Sequence, residues 1–279
     1  MSDDLQTQVK GKVLALQDLP TLPSVLDEVT ELVKSPDSTT EQVAELISRD
    51  QVLSAKVLKM VNSPIYGFPG RISSIQHALV LLGFNVMRGI IISTSVFDIM
   101  QSNMKGLWEH SIGCAMASSV IARQLGHEDP EEFAVAGLLH DLGKVVTALQ
   151  LPELSEQIAT VVKTDNLTYI EAEKKLLGFG HERINDWLAG HWGLPKQIRE
   201  AMSYHHRPTS VNVRHEEIVA VVHVADFVVR LFNHGFSGDD QTAYLHPDAM
   251  RRLGLKMSTL QIIITDFREQ LFEISNLTF

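Results

Sequence analysis

The sequence predicts an all-α fold, a compact multi-helix bundle with an N-terminal helical subdomain. Three observations carry this expectation. Apolar residues recur three and four positions apart through successive segments, the spacing that lays one buried stripe along a helix. Ser, Thr, Asp, Asn, Gly and Pro punctuate those segments at helix length. The apolar inventory, 44% of 279 residues with only 6% aromatic, leaves the packing to Leu, Ile, Val, Ala and Met, the side chains of helix-on-helix cores.

Leu22, Val25, Leu26, Val29, Leu32 and Val33 line one face of a first amphipathic helix, which Pro36 ends. Ser38-Thr39-Thr40-Glu41 has capping-box spacing, and Val43, Leu46 and Ile47 give the next helix its inward face. Asp50 caps a third helix carrying Leu53, Val57, Leu58 and Val61, stopped by Asn62-Ser63-Pro64. A Pro/Gly loop spans Tyr66 to Gly70. Ser73 with Gln76 then opens a fourth helix ending near Gly83, and Asn85 offers the start of a fifth. No catalytic pattern occurs in this half. His77 stands alone on its helix, and Arg71 and Arg88 read as solvated surface charges. Ser102 to Gly106 marks a boundary, dividing an N-terminal helical subdomain (1–104) from a second one (105–279).

Composition narrows the classes of function. A net charge of -10 argues against general nucleic-acid binding, which needs a basic footprint, and against docking on anionic lipid. The single cysteine, Cys114, excludes an internal disulfide and a Cys-rich zinc site and fits a reducing compartment. The opening MSDDLQTQVKGKV lacks the apolar core of a signal peptide. The apolar stretch from Ala78 to Phe97 is interrupted by Asn85 and Arg88 and reads as buried helix rather than a membrane span. A cytoplasmic location is expected.

The second half carries the chemistry. His110 falls on a helix from about Leu107 to Leu125. The next helix, Glu131 to Leu142, ends in His140-Asp141, followed by Gly143 and Lys144. Adjacent helical residues point about 100° apart, so such a pair addresses one centre from neighbouring directions. The carboxylate has two oxygens and can bridge two ions, and Lys144 suits a phosphate oxygen. His181 lies at the start of a helix. His205-His206 repeats the paired arrangement at a helix end, and Asp226 sits within the strongly apolar helix from Val219 to Phe232. A carboxylate there is costly to bury unless a cation compensates it. Imidazole and carboxylate together suit Fe, Mn, Ni or Zn. Each piece also has an ordinary reading: a polar helix terminus for His205-His206, an Asp226–Arg230 pair one turn apart, or a proton-linked polar cluster without metal. His223, one turn before Asp226, is a further candidate for the same pocket.

These residues resemble the HD superfamily of metal-dependent phosphohydrolases, whose signature is a His, a His-Asp doublet and a downstream Asp on helices. Leu19-Pro20-Thr21-Leu22-Pro23, Val57 to Ser63, Ile75 to Gly83, and Trp192-Gly193-Leu194-Pro195 ahead of His205-His206 resemble the HDOD family, the HD-related output domain of bacterial signalling proteins. The resemblance runs from about residue 15 to 235. It implies one helical unit of the HD-domain type with the HD-like core in its second half. The ligand set of the related HD-GYP phosphodiesterases is matched by His110, His140, Asp141, His181, His205, His206 and Asp226. On that footing His110, His140 and Asp226 would hold one divalent transition metal ion and His181, His205 and His206 a second, with Asp141 bridging. Asp141 and Lys144 would serve catalysis. Two departures tell against cyclic-di-GMP hydrolysis: no Gly-Tyr-Pro follows His206, and Gly106 stands where some relatives carry a glutamate for a third ion. Two functions follow as expectations, a signal-transduction module and a phosphohydrolase or phosphodiesterase acting on a nucleotide-type substrate. The corresponding partners are a signalling protein or a phosphorylated small molecule.

Overall fold

Short polar side chains decide where several helices begin. In the computed structural model, which describes residues 2–14, 25, 28, 29, 31, 32, 38–210, 214–241 and 243–274, no strand occurs among the described residues. The chain opens with α1 (Ser2–Leu14). The helix expected over 22–33 is described only in part, and there Val25 and Val29 are buried. α2 (Thr40–Ser48) is capped by Thr39, whose hydroxyl accepts from the Gln42 amide while the Gln42 side chain accepts from the Thr39 amide. The capping box is thus shifted by one residue from Ser38–Glu41, because Thr39 is the extended residue. Asp50 caps α3 (Gln51–Val61) by accepting from the amides of Val52 and Leu53. At its far end the Asn62 amide pairs with both the N–H and the C=O of Ile72, closing the loop.

Ser74, rather than Ser73, caps α4 (Ile75–Asn103). The two helices expected here are one element bent at Gly83, where φ 70 and ψ 172 break the helical path before it resumes. Its apolar run, Ile75–Val96, has the length and composition of a membrane span, and 72% of the window is buried in this fold. Ile90, Ile91 and Ile92 are fully enclosed. α4 packs on α2 and α3 on one side and on the second half of the chain on the other.

α5 (Leu107–Gln124) is the central helix, buried along nearly all of its length. Around it lie α6 (Pro130–Leu139), α7 (Leu142–Gln150), α8 (Pro152–Asp165), α9 (Tyr169–Leu177), α10 (His181–His191), α11 (Lys196–Tyr204), α12 (Glu216–Leu231), α13 (Pro247–Arg252) and α14 (Met257–Ile274). The single helix expected from Glu131 to Leu142 ends three residues early, and His140-Asp141 forms the joint before α7. α5 makes its closest packing with α6, α12 and α14. Glycines permit two of the crossings. A Cβ at Gly137 on α6 would lie 2.5 Å from the Cys114 carbonyl oxygen of α5, and one at Gly89 on α4 would lie 2.2 Å from Val135 of α6.

One buried apolar cluster runs from Val9 through to Phe267 and so includes both halves. Arg88, expected at the surface, is buried instead. Its guanidinium donates to the Gly193 carbonyl at 2.6 Å, tying α4 to the turn between α10 and α11. His77 is exposed.

The α5–α6 crossing leaves no room for a larger side chain. Gly137→Val should therefore lower stability by about 1–3 kcal/mol through overpacking, despite losing a glycine from a helix. A lower urea midpoint at unchanged slope would report it, and an unchanged midpoint would show that α5 yields freely.

Candidate metal centre

The residues singled out in the second half arrive at one buried place from six elements. His110 comes from the first turn of α5, His140 and Asp141 from the joint between α6 and α7, and His181 from the first residue of α10. His205 and His206 follow the last turn of α11, and Asp226 projects from the middle of α12. Helix ends dominate because a side chain there can turn toward a centre without displacing a packed neighbour.

The donor atoms fall into two groups, each with all members within 4.8 Å of one another. One holds His110, His140, Asp226 and Cys114, and the other holds Asp141, His181, His205 and His206. Asp141 lies between them. Its Oδ2 is 3.7 Å from His110 Nε2 and 3.4 Å from His140 Nε2, while its Oδ1 is 3.1 Å from His181 Nε2 and 3.9 Å from His205 Nε2. Asp226 Oδ1 stands 3.2 Å from His110 Nε2. Arg230 is committed elsewhere, donating to Asp239 at 2.6 Å and to the Gln241 carbonyl at 2.9 Å.

Outer hydrogen bonds fix which ring nitrogens carry protons. His140 Nδ1 meets the Gly137 carbonyl at 2.7 Å, His205 Nδ1 meets the Met202 carbonyl at 3.1 Å, and His181 Nδ1 meets Glu173 at 2.7 Å. A carbonyl or carboxylate partner requires N–H there, which leaves Nε2 of His140 and His205 as lone pairs facing inward. Around His181 Nε2 three atoms able to ligate a metal then crowd: His206 Nε2 at 3.1 Å, Asp141 Oδ1 at 3.1 Å and His205 Nε2 at 3.4 Å. A proton on His181 Nε2 can serve one of them, whereas a divalent cation serves all. Asp141 Oδ1 and Asp226 Oδ1 are buried oxygens that receive no hydrogen bond among the described residues. Such orphaned acceptors are rare in native interiors and fit an ion. The donor set fits a divalent metal ion.

Electrostatics agree with that fit at His110, His205, His206 and the two aspartates, and run against it at His181. Burial pushes the His110 imidazole down, and it pushes those of His205 and His206 well below the usual histidine range, toward the neutral form that ligates. Burial alone would raise Asp141, but the neighbouring His140 ring and Lys144 ammonium hold its carboxyl well below the usual range. Asp226 behaves likewise, with His110 outweighing burial. His181 is lowered by burial yet carried up to about 9 by the Glu173 carboxylate.

Several supporting residues were not singled out in the sequence. Asn185 of α10, fully buried, accepts from the Gly143 amide at 2.7 Å and donates to the carbonyls of His140 and of Met202, the latter at 2.9 Å. Glu173 is fully buried and also accepts from the His181 amide at 2.8 Å. Its signal was its place on the apolar stripe of α9, beside Tyr169, Ala172 and Leu177. Cys114 carried a signal too, four residues after His110 on one helix face. Lys144 is enclosed, its ammonium 2.6 Å from Asp141 Oδ2 and 2.8 Å from the Ser237 carbonyl, so it faces the carboxylate rather than open space. His223 stays outside both groups, with Nδ1 donating to the His205 carbonyl and Nε2 accepting from the His246 amide.

A strap, residues 233–241, passes over the His110 side. It is held by the Lys144–Ser237 bond, by Phe236 N donating to Gly106 O at 2.8 Å, and by Asp239 accepting from the Tyr169 amide. Gly235 presses so close that a Cβ would lie 2.2 Å from the backbone nitrogen of His110. Between strap and site lies a cleft of about 290 Å³ lined by His110, Arg230, Asn233, Ser237 and Gln241 among others.

A family model for the HDOD domain matches residues 19–208. The crystal structure of an HDOD domain protein of unknown function from Geobacter sulfurreducens is similar with a TM-score of 0.69 at 30% identity, covering 95% of this chain and 96% of that one. A Shewanella amazonensis protein, provisionally described as a phosphohydrolase, gives 0.67 at 24% identity, covering 94% and 96%, and shows likeness of fold alone. An uncharacterized protein of Treponema pallidum is 25% identical over 238 residues, 82% of this chain and 46% of its own length. The chain spans less than half the length of the curated relatives it matches.

Two substitutions separate scaffold from ligand support. Asn185→Leu should cost at least about 2 kcal/mol, because it strands a buried N–H and two carbonyls; thermal unfolding of the purified protein measures it. Glu173→Gln keeps the shape of the side chain but removes the charge behind His181. Competition against a chelator should show metal affinity lower by about 10–100-fold, and unchanged affinity would reduce Glu173 to a packing role.

Proposed function

The chain belongs to the HDOD family, and from that premise we propose that it is a bacterial signal-transduction module built around a two-ion metal centre of the HD phosphohydrolase type. The observation that carries this reading is the convergence of Asp141 Oδ1 with Nε2 of His181, His205 and His206, donor atoms grouped within 4.8 Å of one another. His110, His140 and Asp226 would hold one ion and His181, His205 and His206 the other, with Asp141 shared. Mixed nitrogen and oxygen ligation suits Fe, Mn, Ni or Zn. Such ions supply Lewis acidity toward phosphoryl oxygens when bound. Lys144 keeps the Asp141 carboxylate ionised and aimed, and Glu173 fixes the orientation of the His181 ring.

The signalling role is supported by the way the first half meets the centre. α4 brings Arg88 to the Gly193 carbonyl, within the turn that joins the His181 helix to the His205 helix. A change in the seating of those two helices is thereby felt by α4, which in turn carries α2 and α3. A signalling protein in the cytoplasm is the matching partner. The cleft beside His110 favours a second reading, hydrolysis of a phosphorylated small molecule of nucleotide type.

Gently purified protein should carry close to two transition-metal ions per chain by elemental analysis, and anomalous scattering should place them at the two donor groups. Less than one ion per chain, with no gain on reconstitution, would overturn the reading. Saturation at 100 times the dissociation constant should add about 2.7 kcal/mol of stability, lost on chelation. Asp141→Ala should abolish any turnover of phosphomonoesters, nucleotides or cyclic dinucleotides while leaving partner capture intact; loss of both together would merge the two functions into one.

A further inference from the structure

Cys114 lies one helical turn after His110, so both side chains leave α5 on the same face. Its sulfur is 3.5 Å from His110 Nε2. The side chain is fully enclosed. The close approach of Gly137 to the Cys114 carbonyl fixes this turn of α5 against α6, the helix that ends at His140. Sγ, the two imidazole nitrogens and an Asp226 oxygen all lie within 4.8 Å of one another. That geometry is independent of the sulfur: Asp226 Oδ1 is a buried acceptor without a hydrogen bond, directed at the same point. Counting the shared Asp141, each ion would have four protein donors, and the thiol would be a fifth on the first.

We propose that Cys114 is a thiolate ligand of the first ion, completing a group with His110, His140 and Asp226. The proposal rests on the metal-centre reading above. Coordination exchanges the S–H bond for a sulfur–metal bond, and the proton passes to solvent. A thiolate is soft, so this position would select Zn, Fe or Co over Mn or Mg. It would also make the first ion depend on a reduced sulfur, since sulfenic acid formation removes the donor.

Cobalt(II) alone, titrated into the full chain, tests this, because Cys114 is the sole cysteine and any thiolate–cobalt signal must come from it. The expected result is an intense near-ultraviolet charge-transfer band together with weaker visible d–d bands. In Cys114→Ser the first should vanish and the second remain, with Zn affinity at this position about 10–100-fold weaker and Mn affinity changed less. Visible bands without charge transfer in the wild-type protein would overturn the proposal and leave the metal centre standing, with Cys114 a packing residue. No cobalt signal of either kind would overturn both. The wild-type spectrum decides the matter even if the variant fails to fold.

Discussion

The amide of Asn185 is the interaction on which the rest of the site depends. The joint at His140-Asp141 and the end of α11 before His205 both expose backbone groups that no helix can satisfy, because each helix has stopped there. One buried side chain answers both, giving an acceptor to Gly143 and a donor each to His140 and Met202. Only a carboxamide has one acceptor and two donors in this plane; aspartate would oppose two carbonyls with negative charge, and leucine would answer none. Through these bonds the helix that begins with His181 sets the distance between the two histidine-bearing joints. The candidate donor groups are therefore held by a frame of protein hydrogen bonds, the condition for precise ligation.

Much of this arrangement was legible because most of the candidate residues sit at helix ends, where sequence punctuation is strongest. His140-Asp141, His181 and His205-His206 each adjoin a Gly, a Pro or a break in apolar periodicity, and the family pattern set them in order. What escaped had tertiary causes. Thr39 rather than Ser38 caps α2, since both residues have the right chemistry and only the backbone path chooses. The break between α6 and α7 falls before Gly143, where the sequence offers an exit, and only the backbone path places it at His140-Asp141. Arg88 looked like a surface charge because its partner is a carbonyl 105 residues away. Glu173 and Cys114 lay on buried faces, and composition gives no reason to prefer an outer partner over a packed residue.

The two halves also differ in what they ask of a sequence. The first supplies caps, a bend at Gly83 and a buried helix, all of them matters of shape. The second adds charge in an apolar interior, which is stable only when each group is answered. The continuous core from Val9 to Phe267 means that neither requirement is met in isolation. Arg88 shows the coupling at the scale of one bond, a front-half cation serving a turn between two ligand-bearing helices.

The strap from 233 to 241 has a consequence for access. It is pinned at Ser237 by Lys144, at Asp239 by the Tyr169 amide and at Phe236 by Gly106, and it presses its own backbone against His110. Passage between solvent and the His110 side beneath the strap requires these three attachments to loosen together.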